Sequence, residues 1–316
     1  MNIKEIYRLA INLGIKNDFR SKKRITDYLK RQKERYEKLP KDRKESFDVE
    51  RFVNPYSDTR IHFDSERRSV KKLMAGIDID TAEIMLAEEL DIETVIAHHP
   101  IGMGLSGLDD VMHMQADVLE QHGVPINVAE SLMKVRISEV SRGINAENHY
   151  KTVDAAKLMN VDLINVHTPA DNMVAKFIKN KVEKNKPEYV GDIIKLLLEI
   201  PEYREAAKKG FGPMIFSGAE DNRAGKIALT EITGGTSGSP KLFEKLSQAG
   251  VGTIIGMHMG EEGRKEAEKA HLNVVIAGHI SSDSLGMNLF LDELEKRGVE
   301  IVPCSGLIRI SRVKNK

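Results

Sequence analysis

From residue 61 onward, short apolar runs alternate with segments of helical pattern, and several of those runs stop at a histidine. This alternation is the strongest constraint on the fold. A parallel strand pair needs a crossover long enough to hold a helix, so strand–helix alternation implies largely parallel sheets covered by helices. Strand patterns fall at 74–80, 94–97, 161–166, 226–232, 252–257, 273–277, 299–303 and 307–313. Helical patterns fall at 81–90, 130–160, 172–210, 240–248, 261–270 and 285–297, and a glycine-rich loop at 102–107 precedes a further helix. Residues 1–50 read as helical, with Ile3, Ile6, Tyr7, Ala10 and Ile11 on one face.

The chain has 316 residues, more than one average domain. Hydrophobic residues make up 41% and charged residues 30%, enough apolar material for a core. Net charge is zero, yet residues 1–70 carry 19 Lys and Arg against 12 Asp and Glu. The basic stretches near 22–24 and 30–35 are interleaved with acids, which favours a solvated helix over a nucleic-acid surface. Cys304 stands alone, so an internal disulfide framework and a cysteine-rich zinc module are both excluded. The N-terminus begins an amphipathic helix rather than a secretory signal, and no apolar run reaches membrane-span length. A cytoplasmic enzyme or binding protein, with no membrane contact, is the expectation.

The histidines carry the chemistry. The run Thr94–Ala97 ends at His98-His99-Pro100, and Pro100 bars a helical conformation at His99. The next runs end at His167, His258 and His279, each with an acid four residues on: Asp171, Glu262 and Asp283. In open α/β sheets ligands bind outside the carboxyl ends of strands. Where a helix follows, an i,i+4 pair shares one face, so imidazole and carboxylate can reach one ion. Each pair taken alone is also explained by helix capping, with Thr168, Ser281 and Ser282 as caps. His62, His113, His122, His149 and His271 lie in ordinary contexts.

After the strand at 226–232 comes Gly234-Gly235-Thr236-Ser237-Gly238, then a helix. This is either a tight connection or a seat for a phosphate or carboxylate at a helix N-terminus. Neither a Walker loop nor a dinucleotide fingerprint is present.

The block from Thr233-Gly234-Gly235 through Ala249-Gly250-Val251 to Ala277-Gly278-His279-x-x-x-Asp283 resembles the C-terminal half of the Nif-three-like (NGG-one-interacting-factor) proteins. Many of these are described as GTP cyclohydrolase I type 2 homologues. Gly76-Ile77-Asp78 with Ile96-Ala97-His98-His99-Pro100 resembles their N-terminal half, and His167 to Asn172 resembles their middle motif. The resemblance covers 72–100, 161–172 and 226–303 and leaves 1–60, 101–160 and 173–212 uncovered.

It implies two α/β lobes facing each other, with mixed, mostly parallel sheets, helical insertions and a dinuclear metal site in the cleft. By that resemblance His98, His99, Asp171, His279 and Asp283 are ligands, with His167 beside them. Asp283 stands where glutamate is usual, and His258 stands where glutamate is common. The units expected are a helical extension (1–60), a first lobe (61–172), a helical linker (173–212) and a second lobe (213–316). A homo-oligomer, commonly a ring-shaped hexamer, is also implied.

Such a donor set suits two divalent ions among zinc, manganese and iron, while calcium would want more oxygens. The function expected is a metal-dependent hydrolase of a small nucleotide-like or phosphoester substrate. His258 or Glu262 would move protons, and Gly234, Gly235 and Thr236 would seat a phosphate. The alternative is a non-catalytic metal-binding or regulatory interaction protein.

Overall fold

A computed structural model describes residues 1–313. Asn2 and Glu5 form a reciprocal capping box that starts α1 (Ile3–Asn17), and its apolar stripe of Ile3, Ile6, Ala10 and Ile11 is buried. Two further helices follow, α2 (Lys22–Glu37) and α3 (Lys41–Lys44), and then a 3₁₀ turn at Val49–Phe52.

The first sheet opens with β1 (Arg60–Phe63) and β2 (Lys72–Gly76), and α4 (Thr81–Glu89) leads to β3 (Thr94–Ala97). A helical excursion comes next: α5 (Gly102–Ser106), α6 (Leu108–Val111), α7 (Met114–Gln121), α8 (Ile126–Ile144) and α9 (Lys151–Met159). It returns through β4 (Asp162–Asn165) into α10 (Thr168–Asn185), α11 (Val190–Leu198) and α12 (Pro201–Lys208). The second sheet holds β5 (Met214–Ser217), β6 (Lys226–Glu231), α13 (Leu242–Gln248), β7 (Val251–Gly256), α14 (Glu261–Lys269) and β8 (Asn273–Ile276), in chain order with its helices. The chain closes with α15 (His279–Glu295) and β9 (Glu300–Cys304).

The sheet orders are β1-β4-β3-β2-β9 and β5-β8-β7-β6, each parallel except for one antiparallel edge strand, β1 or β5. Side chains of β3 alternate as a strand buried on both faces must. Ile96 joins a core with α1, α10 and α15, whereas Val95 and Ala97 join one with α4 and α9. The second sheet repeats the scheme. Ile255 and Val275 face α10 to α12, and Ile254 and Val274 face α7, α8, α13 and α14. Helices α10 and α15 contribute both to the core of Ile96 and to that of Ile255 and Val275, so they are the shared layer between the two sheets.

Four expectations change. The strand at 299–303 pairs with β2 in the first sheet, not with the second lobe, because the apolar α15 carries the chain back across the shared layer. Residues 307–313 form no strand; Arg309 and Arg312 instead tie this segment to Asp292, Glu295 and Glu202 through ion pairs. The segment 102–107 is mostly helical. The N-terminal helices are no appendage, since α1 is built into the core of the first sheet.

Candidate metal centre

Histidines 98 and 99 follow β3, His167 caps α10 after β4, and His279 opens α15 after β8. The parallel strands of both sheets aim their carboxyl ends at one place, and the imidazoles meet there. Ring centroids of His98 lie 5.2 Å from His99 and 5.0 Å from His167, and His99 lies 5.1 Å from His279. Asp171 sits in the first turn of α10, where the positive helix end favours a carboxylate, and Asp283 lies one turn into α15, four residues after His279. The two helices can approach because Gly286 lacks a side chain: a Cβ there would stand 2.5 Å from the Ala170 carbonyl oxygen.

Three contacts fix which nitrogen is free in three of the rings. A backbone carbonyl and an ionised carboxylate only accept hydrogen bonds. His98 Nδ1 therefore donates to Val166 O at 3.0 Å, His99 Nδ1 to Asp78 Oδ1 at 2.6 Å, and His167 Nδ1 to Asp58 Oδ2 at 2.7 Å. Thr168 Oγ1 also donates to Asp58, at 2.6 Å. The Nε2 atoms of these three rings are left to face the two aspartates.

Their spacing is too long for hydrogen bonds and right for shared coordination. His98 Nε2 lies 3.5 Å from both Asp171 Oδ1 and Asp283 Oδ1. His99 and His279 each put Nε2 3.4 Å from Asp283 Oδ2, and His167 Nε2 is 3.7 Å from Asp171 Oδ2. Ligand atoms about 2.1 Å from a shared tetrahedral ion stand roughly 3.4 Å apart. His98 Nε2, Asp171 Oδ1 and both Asp283 oxygens are buried without a hydrogen-bond partner. Buried polar atoms are normally paired, so this convergence of orphans is the mark of a cation site. Two triads have suitable geometry, His98–His167–Asp171 and His98–His99–Asp283.

The electrostatics agree. Burial pushes the Asp171 carboxyl well above its usual range, and the charges of Asp283 and Asp58 add to this. Asp283 is held low: burial opposes its charge, but His98, His99 and His279 outweigh it. Burial also disfavours charge on His99, yet the Asp283 and Asp78 carboxylates beside it raise it to about 10. A cation seated against His99 Nε2 takes the place of that proton.

The two residues expected to move protons are placed differently from each other. His258 reaches the edge of the cluster, 4.8 Å from His279, with Nδ1 3.0 Å from Ser237 Oγ. Glu262 does not: α14 begins at Glu261, so His258 lies outside the helix and the i,i+4 relation never forms. Glu262 is exposed and lines a different cavity. The glycine loop packs against the helical excursion. Gln115 Nε2 donates to the carbonyls of Gly234 and Thr236 at 2.7 and 2.6 Å. A Cβ on Gly235 would lie 2.9 Å from Met112 Cγ. Sequence reasoning missed Asp58 altogether and gave Asp78 no role.

The family model for Duf34/NIF3 (NGG1p interacting factor 3) matches residues 55–305. The chain belongs to this family. The family match spans 101–160 and 173–212, which the resemblance left uncovered, and begins inside the expected N-terminal extension. A crystal structure of a NIF3 superfamily protein from Sphaerobacter thermophilus is 29% identical, with a TM-score of 0.72, and the alignment covers 90% of this chain and 98% of that one. Reduced HcgD from Methanocaldococcus jannaschii is 17% identical with a TM-score of 0.45, covering 74% and 83% of the two chains. The Staphylococcus aureus hypothetical protein SA1388 is 13% identical with a TM-score of 0.45, covering 81% and 93%. No curated protein matches the sequence.

Proposed function

We propose that this family member is a metal-dependent hydrolase with a dinuclear site, acting on a small nucleotide-like or phosphoester substrate. The observation that carries the reading is the convergence of four imidazoles and two carboxylates, several of their atoms buried and unpaired, at the facing carboxyl ends of two sheets. Zinc, manganese and iron suit this mixed nitrogen and oxygen set. Divalent ions held there supply Lewis acidity and a nucleophile from water near neutral pH.

The chain's own groups do the remaining work. Asp58, Asp78 and the Val166 carbonyl hold three rings in the tautomer that leaves Nε2 open. Burial, with the neighbouring His279, lowers His258 to about 4, so at neutral pH its ring is uncharged and keeps one nitrogen lone pair open. Ser237 orients that ring through Nδ1. A homo-oligomer belongs to the same reading, supported by exposed Met85 and Leu86 on α4, Leu90 just after it and Leu158 on α9.

Protein purified without chelator, assayed by elemental analysis and against a panel of phosphoesters and nucleotides, tests the proposal. Metal-dependent turnover that disappears in Asp171→Asn supports it. Stable metal occupancy with no turnover over the panel makes the protein a metal-binding or regulatory factor instead.

A further inference from the structure

A cavity of about 640 Å³ opens between α2 and the helical excursion, within the size range of small-ligand sites. None of its lining residues belongs to the metal centre. Helix α2 precedes the segment matched by the family model, so one wall comes from a part of the chain that the match does not span. Of the 16 residues of α2 only Ile25 and Gln32 are buried. A helix so polar is not held by a core. Polar contacts pin it against α6 and α7 instead: Tyr28 Oη donates to Asp110 Oδ2 at 3.1 Å, and Arg24 pairs with Asp117 at 3.4 Å.

The α2 wall is basic. Arg31 and Arg35, one helical turn apart, both line the cavity. The acids nearby are mostly engaged elsewhere. Asp27 pairs with Lys23 at 2.6 Å and also feels the Arg31 charge, while Asp110 pairs with Arg51 at 3.3 Å. Arg20 is held by Asp18 at 2.8 Å. Among the described residues no acid forms an ion pair with Arg31 or Arg35, and no cation with Glu130 on the α8 wall. Next to Arg31 sits Gln32, only 8% exposed, whose side-chain oxygen is buried without a hydrogen-bond partner. Buried polar atoms are normally paired, so an unpaired amide lining a cavity calls for a donor from a ligand. Two free guanidinium groups call for a phosphate, and a lining of mostly charged and polar groups calls for hydroxyls rather than an apolar body.

We infer that this cavity is a second ligand site, separate from the metal centre, and that it takes a polyhydroxylated phosphate monoester of the sugar-phosphate class. Arg31 and Arg35 bind the phosphate, and Gln32 accepts a hydrogen bond from a hydroxyl. Guanidinium forks match phosphate oxygens, and charge-assisted hydrogen bonds of this kind are the strong ones. The unpaired Glu130 on the α8 wall disfavours a second anionic group there. The site stands whether or not the metal centre is that of a hydrolase.

The test is calorimetry on metal-stripped full-length protein with ribose 5-phosphate and with ribose. The phosphate ester should bind at least about tenfold tighter, the factor left to two charge-assisted contacts after solvent screening. Arg31→Gln combined with Arg35→Gln should remove that preference, and both side chains are exposed, so the variant keeps its fold. Gln32→Met should weaken the ester about fivefold, the worth of one ordinary hydrogen bond, yet leave Tm unchanged or raised. Replacing an unpaired buried polar group by an apolar one of similar shape removes a cost, whereas a glutamine with a structural role would lower Tm when lost. Asp171→Asn should bind the ester as the wild type does. Equal affinity for the two sugars, a preference that survives the double variant, or unchanged affinity in Gln32→Met overturns the inference. So does loss of binding in Asp171→Asn, which would place the ester at the metal centre. A single-stranded oligonucleotide that binds tighter than the sugar phosphate through the same arginines, with affinity falling steeply as salt rises, also overturns it and makes this face of α2 a nucleic-acid surface.

Discussion

Asparagine at position 171 separates the cost of the metal centre from its use. In the metal-free protein burial, and then the charges of Asp283 and Asp58, push the Asp171 carboxyl towards its neutral form. Asparagine is close to isosteric with a protonated aspartate, and Asp171 Oδ1 makes no hydrogen bond to lose. The metal-free variant should therefore stay within about 1 kcal/mol of the wild type, the size of one ordinary hydrogen bond.

The metal-loaded comparison differs. A cation at 100 times its Kd stabilises the native state by about 2.7 kcal/mol. Losing an outer partner of a metal ligand already costs about 10–100-fold in affinity, and losing a charged ligand costs at least as much. At a 100-fold loss the same metal concentration yields only about 0.4 kcal/mol. For a chain of this size that reduces a metal-induced rise in Tm of roughly 5 °C to roughly 1 °C. Thermal unfolding followed by circular dichroism, in chelator and in excess zinc or manganese, reads both numbers. Two results would refute the reasoning. A metal-free variant weakened by about 3–5 kcal/mol would mean that a buried ion pair had been broken and that Asp171 was charged. Unchanged metal-induced stabilisation would mean that Asp171 touches no metal.

Asp58→Asn should cut metal affinity by about 10–100-fold, because an amide facing His167 Nδ1 no longer enforces the tautomer; metal titration with nitrogen NMR of the imidazoles checks it, and unchanged affinity would make Asp58 purely structural. Gly286→Ala drives a Cβ to 2.5 Å from the Ala170 carbonyl, so urea denaturation should show a loss of about 1–3 kcal/mol, with weaker metal binding as α10 and α15 part. Burial lowers His62 and His122 from 6.5 to about 4. The unfolded chain then binds more protons than the folded one between those values, so their contribution is complete above about pH 6.5 and drains away towards pH 4. Urea midpoints of chelated protein that stay flat over this window would contradict that account.

Much of the fold was legible because parallel strands buried on both faces announce themselves as continuous β-branched runs. Val95-Ile96-Ala97 and Val274-Val275-Ile276 are such runs, and both form central strands. The antiparallel edges were harder to read. Arg60–Phe63 and Met214–Ser217 are only partly buried for much of their length, so they lack that continuous apolar signal. The place of β9 was hidden for another reason. Residues 299–303 read as a strand from either lobe's point of view, and only the packing of α15 between the sheets decides which sheet it joins.

The metal centre shows the same division between local and distant information. His167–Asp171 and His279–Asp283 were readable as i,i+4 pairs because a helix does follow each histidine, whereas His258–Glu262 failed when α14 began three residues late. Asp58 is 109 residues from His167 in the chain and leaves no periodic trace. Its function depends on contact alone, and contact is what a single sequence does not contain. The chemistry of His98 carries the argument one step further. Its Nδ1 is committed to the Val166 carbonyl, so a single Nε2 lone pair faces both Asp171 and Asp283. One lone pair serves one ion. If two ions are bound, His98 cannot join the two triads to which it geometrically belongs. The aspartates, with two oxygens each, must do so, which is a physical reason for two acids to be buried together where burial alone disfavours both.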